Sequence, residues 1–508
     1  MLSRVKGVSV ALCLLLSTLA VAGCDHDDDG KARPAAAKKQ AAGPKPGPTQ
    51  HYESRPDLRP PRVKVTVPAR AGTAPGYVFF GPKLAVEQAG PMIMDNKGET
   101  IWFHPLRLTK GITDFRVQTY QGKPVLTWWR GKLSNVGVGN GYYVVYNDRY
   151  KPIAEVRPGR GLAGDVHEFL ITPRNTALIS IYHRKPVDLT PVNGPAEGKI
   201  WDGIVQEIDI KTGKVLFQWN SYPQVAIKES YAKPPKRSRG AKSLPYDYFH
   251  LNSVSEDTDG NLLLSARNTH AVYKIDKQTG KVIWRLGGKK SDFTLGPGVR
   301  FAWQHDAQRQ SDGTISIFDN SAAPPVARLS RVLMIDANTT TKKATLVRSF
   351  QHPKKLLAPF EGNAQFHTNG NVFVGWGAWP YLTEFDRNGR VLFDVYFGHG
   401  KKPGQDADSY RGYRFPWRGQ PTNKPALAVK RRAAVTTAYV SWNGATDVAR
   451  WVVFSGSDPN KLDRIGTWPK RGFETPITIQ NDADYYAVEG VSANGRMLGR
   501  SEAVKPKS

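Results

Sequence analysis

Three histidines occupy one place in three successive sequence repeats. His167 in "GDVHEFLITP", His250 in "YDYFHLNSV" and His305 in "WQHDAQRQSDG" each stand at the start of a β-prone run. The turn residues Asn175, Gly260 and Gly313 follow eight, ten and eight residues later, so the registers agree within one strand period. A neutral imidazole is a nucleophile or base, and a protonated one is an acid. A single histidine at a strand start is more often a hydrogen-bonded structural residue, but three in register are harder to dismiss. His183 and His270 follow second strands, His352 and His399 sit in polar loops and His367 falls in a turn, so these read as structural.

Arg267 ends the strand expected to pair with that of His250, in "LLLSARNTHAVYKI". A guanidinium emerging from an apolar strand suits an anion, although an ordinary strand-end salt bridge is the simpler reading of that residue alone. Asn252, two residues beyond His250, is expected to share its face and to donate to the same anion, with a loop cap as the alternative. Three histidines also suit zinc, but a fixed cation at Arg267 opposes a divalent metal, so neither metal nor cofactor is expected. Serine nucleophile motifs, P-loops and dinucleotide-binding glycine patterns do not occur in a convincing context.

The elements that carry these residues repeat. "VQEIDIKTGKVLFQW", "VYKIDKQTGKVIWRL" and "LTEFDRNGRVLFDV" each read as a hairpin, with β-branched and aromatic strands around an acidic, glycine-containing turn. Upstream of each lies another strand, turn and strand, and two hairpins make a four-stranded blade. Units of roughly 40–50 residues of this kind predict a β-propeller. The expectation is an all-β chain, with a six-bladed propeller over residues 61–424 and "GYVFFGP" supplying inner strands for the sixth blade. An open solenoid is the alternative. In a closed ring the registered histidines would meet at one mouth of the axis.

From residue 425 to 508 the rhythm changes. "AYVSWNGATDVARWVVFSG" and "DADYYAVEGVSANGRMLGRSE" resemble a fibronectin type III sandwich, with Tyr485 or Tyr486 as its tyrosine corner. At the other end, Arg4, Lys6 and the apolar run Val8–Val21 form a signal peptide over residues 1–23. It closes on Val21-Ala22-Gly23-Cys24, which resembles a bacterial lipobox and marks Cys24 for lipidation. Residues 24–60, rich in Ala, Pro, Lys and Gly, read as a disordered tether. The expected location is therefore outside the cytoplasm, held to the outer face of the bacterial membrane or to the envelope by lipid alone. The second cysteine, Cys13, lies within the signal peptide, so the core must be held by burial without a disulfide. The net charge of +28 is dispersed, which points to anionic small molecules or envelope polymers and not to nucleic acid.

"GDVHEFLITP", "HLNSVSEDTDGNLLLSARNTHAVYKIDKQTGKVIWRLGG", "QHDAQRQSDGTISIFDN", "NGNVFVGWG" and "YRGYRFPW" resemble the arylsulfotransferase family of exported, nucleotide-independent enzymes. The resemblance implies a six-bladed propeller that moves a sulfuryl group from an aryl sulfate to a phenol by ping-pong chemistry. It implies that His305 is the nucleophile forming a transient sulfohistidine. His250 and Arg267, assisted by Asn252, would then hold the sulfuryl oxygens, and His167 would be a further active-site histidine. Asp306, beside His305, is expected either to orient it or to repel an anionic donor. Two other readings stay open on the residues. The "DxxTGKxxW" rhythm of Asp276–Trp284 resembles the blade motif of pyrroloquinoline-quinone dehydrogenases. A non-catalytic adaptor that binds an envelope polymer or protein through the C-terminal domain is the main alternative to an enzyme.

Overall fold

A computed structural model describes residues 44–106, 111–134, 136–235, 244–433, 435–480 and 482–507. The expected signal peptide, Cys24 and the first part of the expected tether lie outside the described residues. Among the described residues are six sheets that each hold four antiparallel strands, consecutive in the chain in five of them. The innermost strands are β1 (Gly111–Tyr120), β2 (Phe169–Ile171), β3 (Leu251–Glu256), β4 (His305–Arg309), β5 (Asn363–Phe366) and β6 (Gly412–Phe415). Each sheet packs on the next and the β6 sheet packs back on that of β1, so the ring closes as a propeller.

The period-2 pattern of the strands explains this packing. In "LLLSA" (Leu262–Ala266), Leu262 and Leu264 join the layer shared with the β2 sheet, whereas Leu263 joins the layer shared with the β4 sheet. Both faces of each sheet are therefore apolar, as a ring of stacked sheets requires. The last seam is filled by Phe79, Ile93 and Trp102 against Ile112, Leu126 and Trp128.

Closure corrects one expectation. The innermost strand of the sixth sheet is β6, from "YRGYRFPW", and Tyr77–Phe80 lies second, between β6 and Met92–Met94. A strand from late in the chain thus completes a sheet begun near its start, which ties the ring shut. A second correction concerns the tether, because residues 44–60 pack against the body. Leu58 is buried, the Tyr52 hydroxyl donates to Thr100 Oγ1 at 3.0 Å, and the Ser54 backbone N–H donates to Glu474 Oε1 at 2.6 Å.

After the ring, seven strands form two facing sheets. Ala426–Arg432, Val435–Ser441 and Glu474–Ile479 oppose a four-stranded sheet ordered Lys461–Pro469, Val448–Asp458, Tyr485–Ser492 and Met497–Arg500. Trp442, Trp451, Val453, Ile477 and Val488 fill the space between them. Of the two tyrosine candidates, Tyr486 is the buried one, and its hydroxyl accepts from the Ala483 N–H at 3.0 Å. Asn443 docks this sandwich on the ring by exchanging two hydrogen bonds with the Phe103 backbone, at 3.0 and 2.9 Å.

Beneath one mouth the axis is filled by charge. Arg411 is fully buried and bonds Asp114 Oδ1 at 3.1 Å and both Glu168 oxygens at 3.1 and 3.0 Å, while Arg116 pairs with Asp114 and Glu168. Residues from three neighbouring inner-strand segments thus share one buried ionic network, in which Asp114 Oδ2, Arg116 Nε and Arg411 Nε lack a hydrogen-bond partner, and it sets the floor on which the histidines stand.

Candidate functional site

The three histidines sit at the starts of neighbouring inner strands, above that floor. His167 stands two residues before β2, His250 immediately before β3, and His305 is the first residue of β4. All are buried, with 4%, 8% and 2% of their surface exposed, so any ligand they meet is largely removed from water. The His167 and His250 rings are 5.0 Å apart and nearly perpendicular. Tyr182 lies 5.5 and 5.7 Å from these two rings. Tyr410 lies 5.7 Å from His167 and 6.5 Å from His305, bridging the group.

The Nδ1 partners separate the three imidazoles by chemistry. His250 Nδ1 meets Asp247 Oδ2 at 2.5 Å, and His167 Nδ1 meets Asp165 Oδ2. His305 Nδ1 instead meets an amide oxygen, Asn320 Oδ1, at 2.7 Å. The amide orientation is fixed because Asn320 Nδ2 donates to two carbonyls, Ala358 O at 3.0 Å and Glu361 O at 2.8 Å. A flipped amide would set its oxygen against both. Asn320 Oδ1 must therefore accept, His305 Nδ1 carries the proton, and Nε2 keeps its lone pair.

Electrostatics reinforce this difference. Burial, then the Arg267 charge and the neighbouring histidines, hold His305 well below the ordinary histidine value, against the hydrogen bond to Asn320. It is a neutral imidazole at neutral pH. Burial also lowers His250, but there Asp247 opposes the shift through both charge and hydrogen bond. A carboxylate behind an imidazole stabilises its cation through charge and hydrogen bond, whereas a neutral amide does so only through the hydrogen bond.

Arg267 follows the strand paired with β3, where its N–H donates to His250 O at 2.9 Å. Its side chain stacks over Trp303 at 4.8 Å and donates to Pro359 O at 3.2 Å and Asn268 Oδ1 at 3.0 Å. Among the described residues no carboxylate forms an ion pair with it, so the strand-end salt bridge is not the arrangement found. Burial pushes it down to about 10, which leaves it cationic at neutral pH. An unpaired, largely desolvated guanidinium that acts electrostatically on both His250 and His305 is a strong attractor for an anion.

Two sequence expectations need correction. Asn252 does not share a face with His250 by simple alternation, because His250 has a left-handed backbone (φ 55°) and the pairing of β3 shifts between Leu251 and Ser253. Its amide donates to Gln304 O at 2.7 Å, which fixes the residue before His305. Asp306 neither orients nor faces His305. It also has a left-handed backbone, φ 52°, and its carboxylate accepts from the Ala364 N–H at 3.0 Å and from Gln308 Nε2 at 2.8 Å, facing Arg411 at 3.7 Å. It belongs to the floor.

Sequence reasoning passed over Asp165, Asp247, Asn320 and Tyr410. The two aspartates were visible as Asp-x-His and Asp-x-x-His spacings in "GDVHEF" and "YDYFH". Asn320 had no such signal, since it lies across the hairpin beyond Phe318, the residue opposite His305. Among the described residues no group of three or more His, Cys, Asp or Glu is arranged to hold a metal ion.

Structural likenesses are distant. A protein of unknown function from Bacteroides caccae aligns with 67% of this chain and 98% of its own, at 12% identity and a TM-score of 0.40. A catalytically inactive virginiamycin B lyase from Staphylococcus aureus with quinupristin aligns over 75% and 97%, at 9% identity and a TM-score of 0.34. A GH43 protein from Bacillus licheniformis gives 78% and 90%, at 8% identity and a TM-score of 0.30. At these scores the likenesses carry no argument. No curated protein matches the chain significantly. A family model described as arylsulfotransferase (ASST) matches residues 116–398, more than half of the 508 residues and all of the stretch that holds His167, His250, Arg267 and His305. The chain belongs to the arylsulfotransferase family.

Proposed function

We propose that this chain transfers a sulfuryl group from an aryl sulfate to a phenol, without a nucleotide, by a ping-pong reaction through a sulfohistidine on His305. The observation that carries the reading is the Asn320–His305 hydrogen bond, which leaves a neutral imidazole with a free Nε2 lone pair beside an unpaired guanidinium. Nε2 attacks sulfur, the N–S bond forms, and the S–O bond to the departing phenolate breaks. Arg267 and the His167–His250 pair hold the sulfuryl oxygens, where charge concentrates during transfer.

A bound sulfuryl anion raises the proton affinity of both carboxylate-backed imidazoles. One of them can then protonate the phenolate as it leaves. In the second half-reaction the acceptor phenol gives its proton to that same imidazole, its oxygen attacks sulfur, and the N–S bond breaks. Charge and protons balance over the cycle. Asn252 acts through the Gln304 carbonyl, holding the segment that presents His305. The signal-peptide pattern and Cys24 support an activity outside the cytoplasm on a lipid anchor.

The test is mass spectrometry of the purified protein after brief exposure to a chromogenic aryl sulfate. A sulfuryl adduct on the peptide containing His305 is expected, with adduct and turnover both lost in His305→Ala. Turnover at the wild-type rate in that variant overturns the nucleophile, and a folded wild-type protein that forms no adduct and releases no phenol favours the adaptor.

A further inference from the structure

Away from the axis, a cavity of about 560 Å³ opens between the second and third strands of the β1 sheet and the segment that leads to β2. Three of its lining residues are cations, Arg130, Lys132 and Arg157, and none is acidic. Strand geometry puts them together. Arg130 and Lys132 are two apart on Lys123–Leu133, so they share a face, and they stand opposite Tyr142 and Asn140 of the next strand. Arg157 follows Pro152–Val156 and lays its guanidinium over the Tyr142 ring at 4.1 Å. The facing wall is apolar, built from Pro158, Leu162 and Ala163.

The charges here are only partly compensated, by an ion pair between Arg157 and Glu155. Glu155, outside the lining, takes a hydrogen bond from Arg157 Nε at 2.6 Å. Arg130 has no ion pair among the described residues, and its buried Nε has no hydrogen-bond partner. A buried donor left without an acceptor is costly, and the two cations without an ion pair among the described residues, Arg130 and Lys132, repel each other across the cavity. A ligand that brings oxyanion oxygens removes both penalties. The volume exceeds what a bare ion needs and falls in the usual range for small organic ligands. None of the residues of the histidine cluster lines this cavity.

We propose that this cavity is a second binding site, separate from the histidine cluster, for a sulfate- or phosphate-type oxyanion carried on an aromatic or other apolar body. Arg130, Lys132 and Arg157 take the anionic head, and the Pro158–Leu162–Ala163 wall takes the body. The segment that forms this wall continues through Gly164 and Asp165 to His167, so an occupant would sit against the chain that carries one of the axial imidazoles. The site stands on its own chemistry and does not require the proposed sulfuryl transfer.

The probe is 2-naphthyl phosphate, which has the anionic head and aromatic body but no sulfuryl group to transfer. Binding is measured by titration calorimetry and naphthyl fluorescence at fixed ionic strength. In the paired variant Arg130→Gln with Arg157→Gln, affinity falls at least tenfold. The charge-matched control, Lys123→Gln with Lys343→Gln on exposed strand positions, stays within twofold of wild type. The paired variant keeps the wild-type aryl sulfate turnover at saturating substrate, which separates this site from the histidine cluster. Absence of binding by the wild-type protein, an unchanged affinity in the paired variant, or an equal loss in the charge control overturns the proposal. Displacement of the probe by inorganic phosphate at equal concentration overturns the apolar half of it. Should Arg130→Gln not fold, Arg157→Gln alone, altered only at the exposed strand end, gives the same reading.

Discussion

Replacing Asn320 by alanine tests the chemistry of the site at the one bond that distinguishes His305 from its neighbours. Three hydrogen bonds disappear, those to His305 Nδ1, Ala358 O and Glu361 O at 2.7, 3.0 and 2.8 Å, the first two of them buried. Leaving His305 Nδ1–H without an acceptor costs about 1–3 kcal/mol. The imidazole escapes that cost by moving its proton to Nε2, so the nucleophilic tautomer drops to between about one fifth and one part in 150, at 1.4 kcal/mol per factor of ten. The rate of sulfuryl transfer to the enzyme should fall by the same factor. Stopped-flow release of the donor phenol isolates that half-reaction, and the deficit should not depend on acceptor identity.

The two orphaned carbonyls lower stability as well, by about 2–6 kcal/mol in total, so the burst is compared only at temperatures where circular dichroism shows the variant folded. Asn320→Asp restores an acceptor for Nδ1–H and should recover part of the burst rate. A carboxylate there favours the imidazolium, so the acid limb of its pH profile must move to higher pH than in the wild type. A folded Asn320→Ala protein with a wild-type burst would refute the tautomer argument. An unshifted acid limb in Asn320→Asp would refute its electrostatic half.

Two further outcomes follow from buried charge. Arg411→Met leaves Glu168 and Asp114 short of their shared cation and should cost about 3–5 kcal/mol in a denaturant titration, whereas a loss under about 1 kcal/mol would mean that the axial network contributes little. His270 stacks on Tyr231 at 4.1 Å and meets the edge of Trp303 at 4.3 Å; burial, then Arg267 and Lys289, push it down to about 3. The unfolded chain protonates this histidine near 6.5 and the folded one does not until about 3, so its stabilising contribution is present above 6.5 and is lost as pH falls between those values. The stability difference between wild type and His270→Gln should therefore shrink by about 2 kcal/mol from pH 6.5 to 5, and parallel stability curves would contradict it.

Much of the fold was legible because the signals are local. Hairpin turns such as "DKQTG" specify antiparallel strands, the continuous apolar run in "LLLSA" gives two apolar faces, and strands with two apolar faces must be stacked between others. The register of His167, His250 and His305 was readable for the same reason, since repeated units place equivalent residues equivalently. The sixth sheet was only half legible. Its inner strand comes from Gly412–Phe415, far along the chain from Tyr77–Phe80, and no local pattern says which distant segment closes a ring.

The sequence by itself determined the strand periods, the repeat, the histidine register and the arginine that ends the Leu262–Ala266 strand, because each depends on spacing within one segment. Only the tertiary structure decided what each histidine can do. Asp247 and Asp165 stand behind two imidazoles and Asn320 behind the third, and that last partner reaches His305 across a hairpin while two carbonyls from the β5 side fix its amide. Tautomer and charge are properties of the neighbours a side chain meets in space. The left-handed turn at His250 and the bulge that follows it likewise moved Asn252 off the face that alternation assigned, since strand period holds only where the ladder is regular.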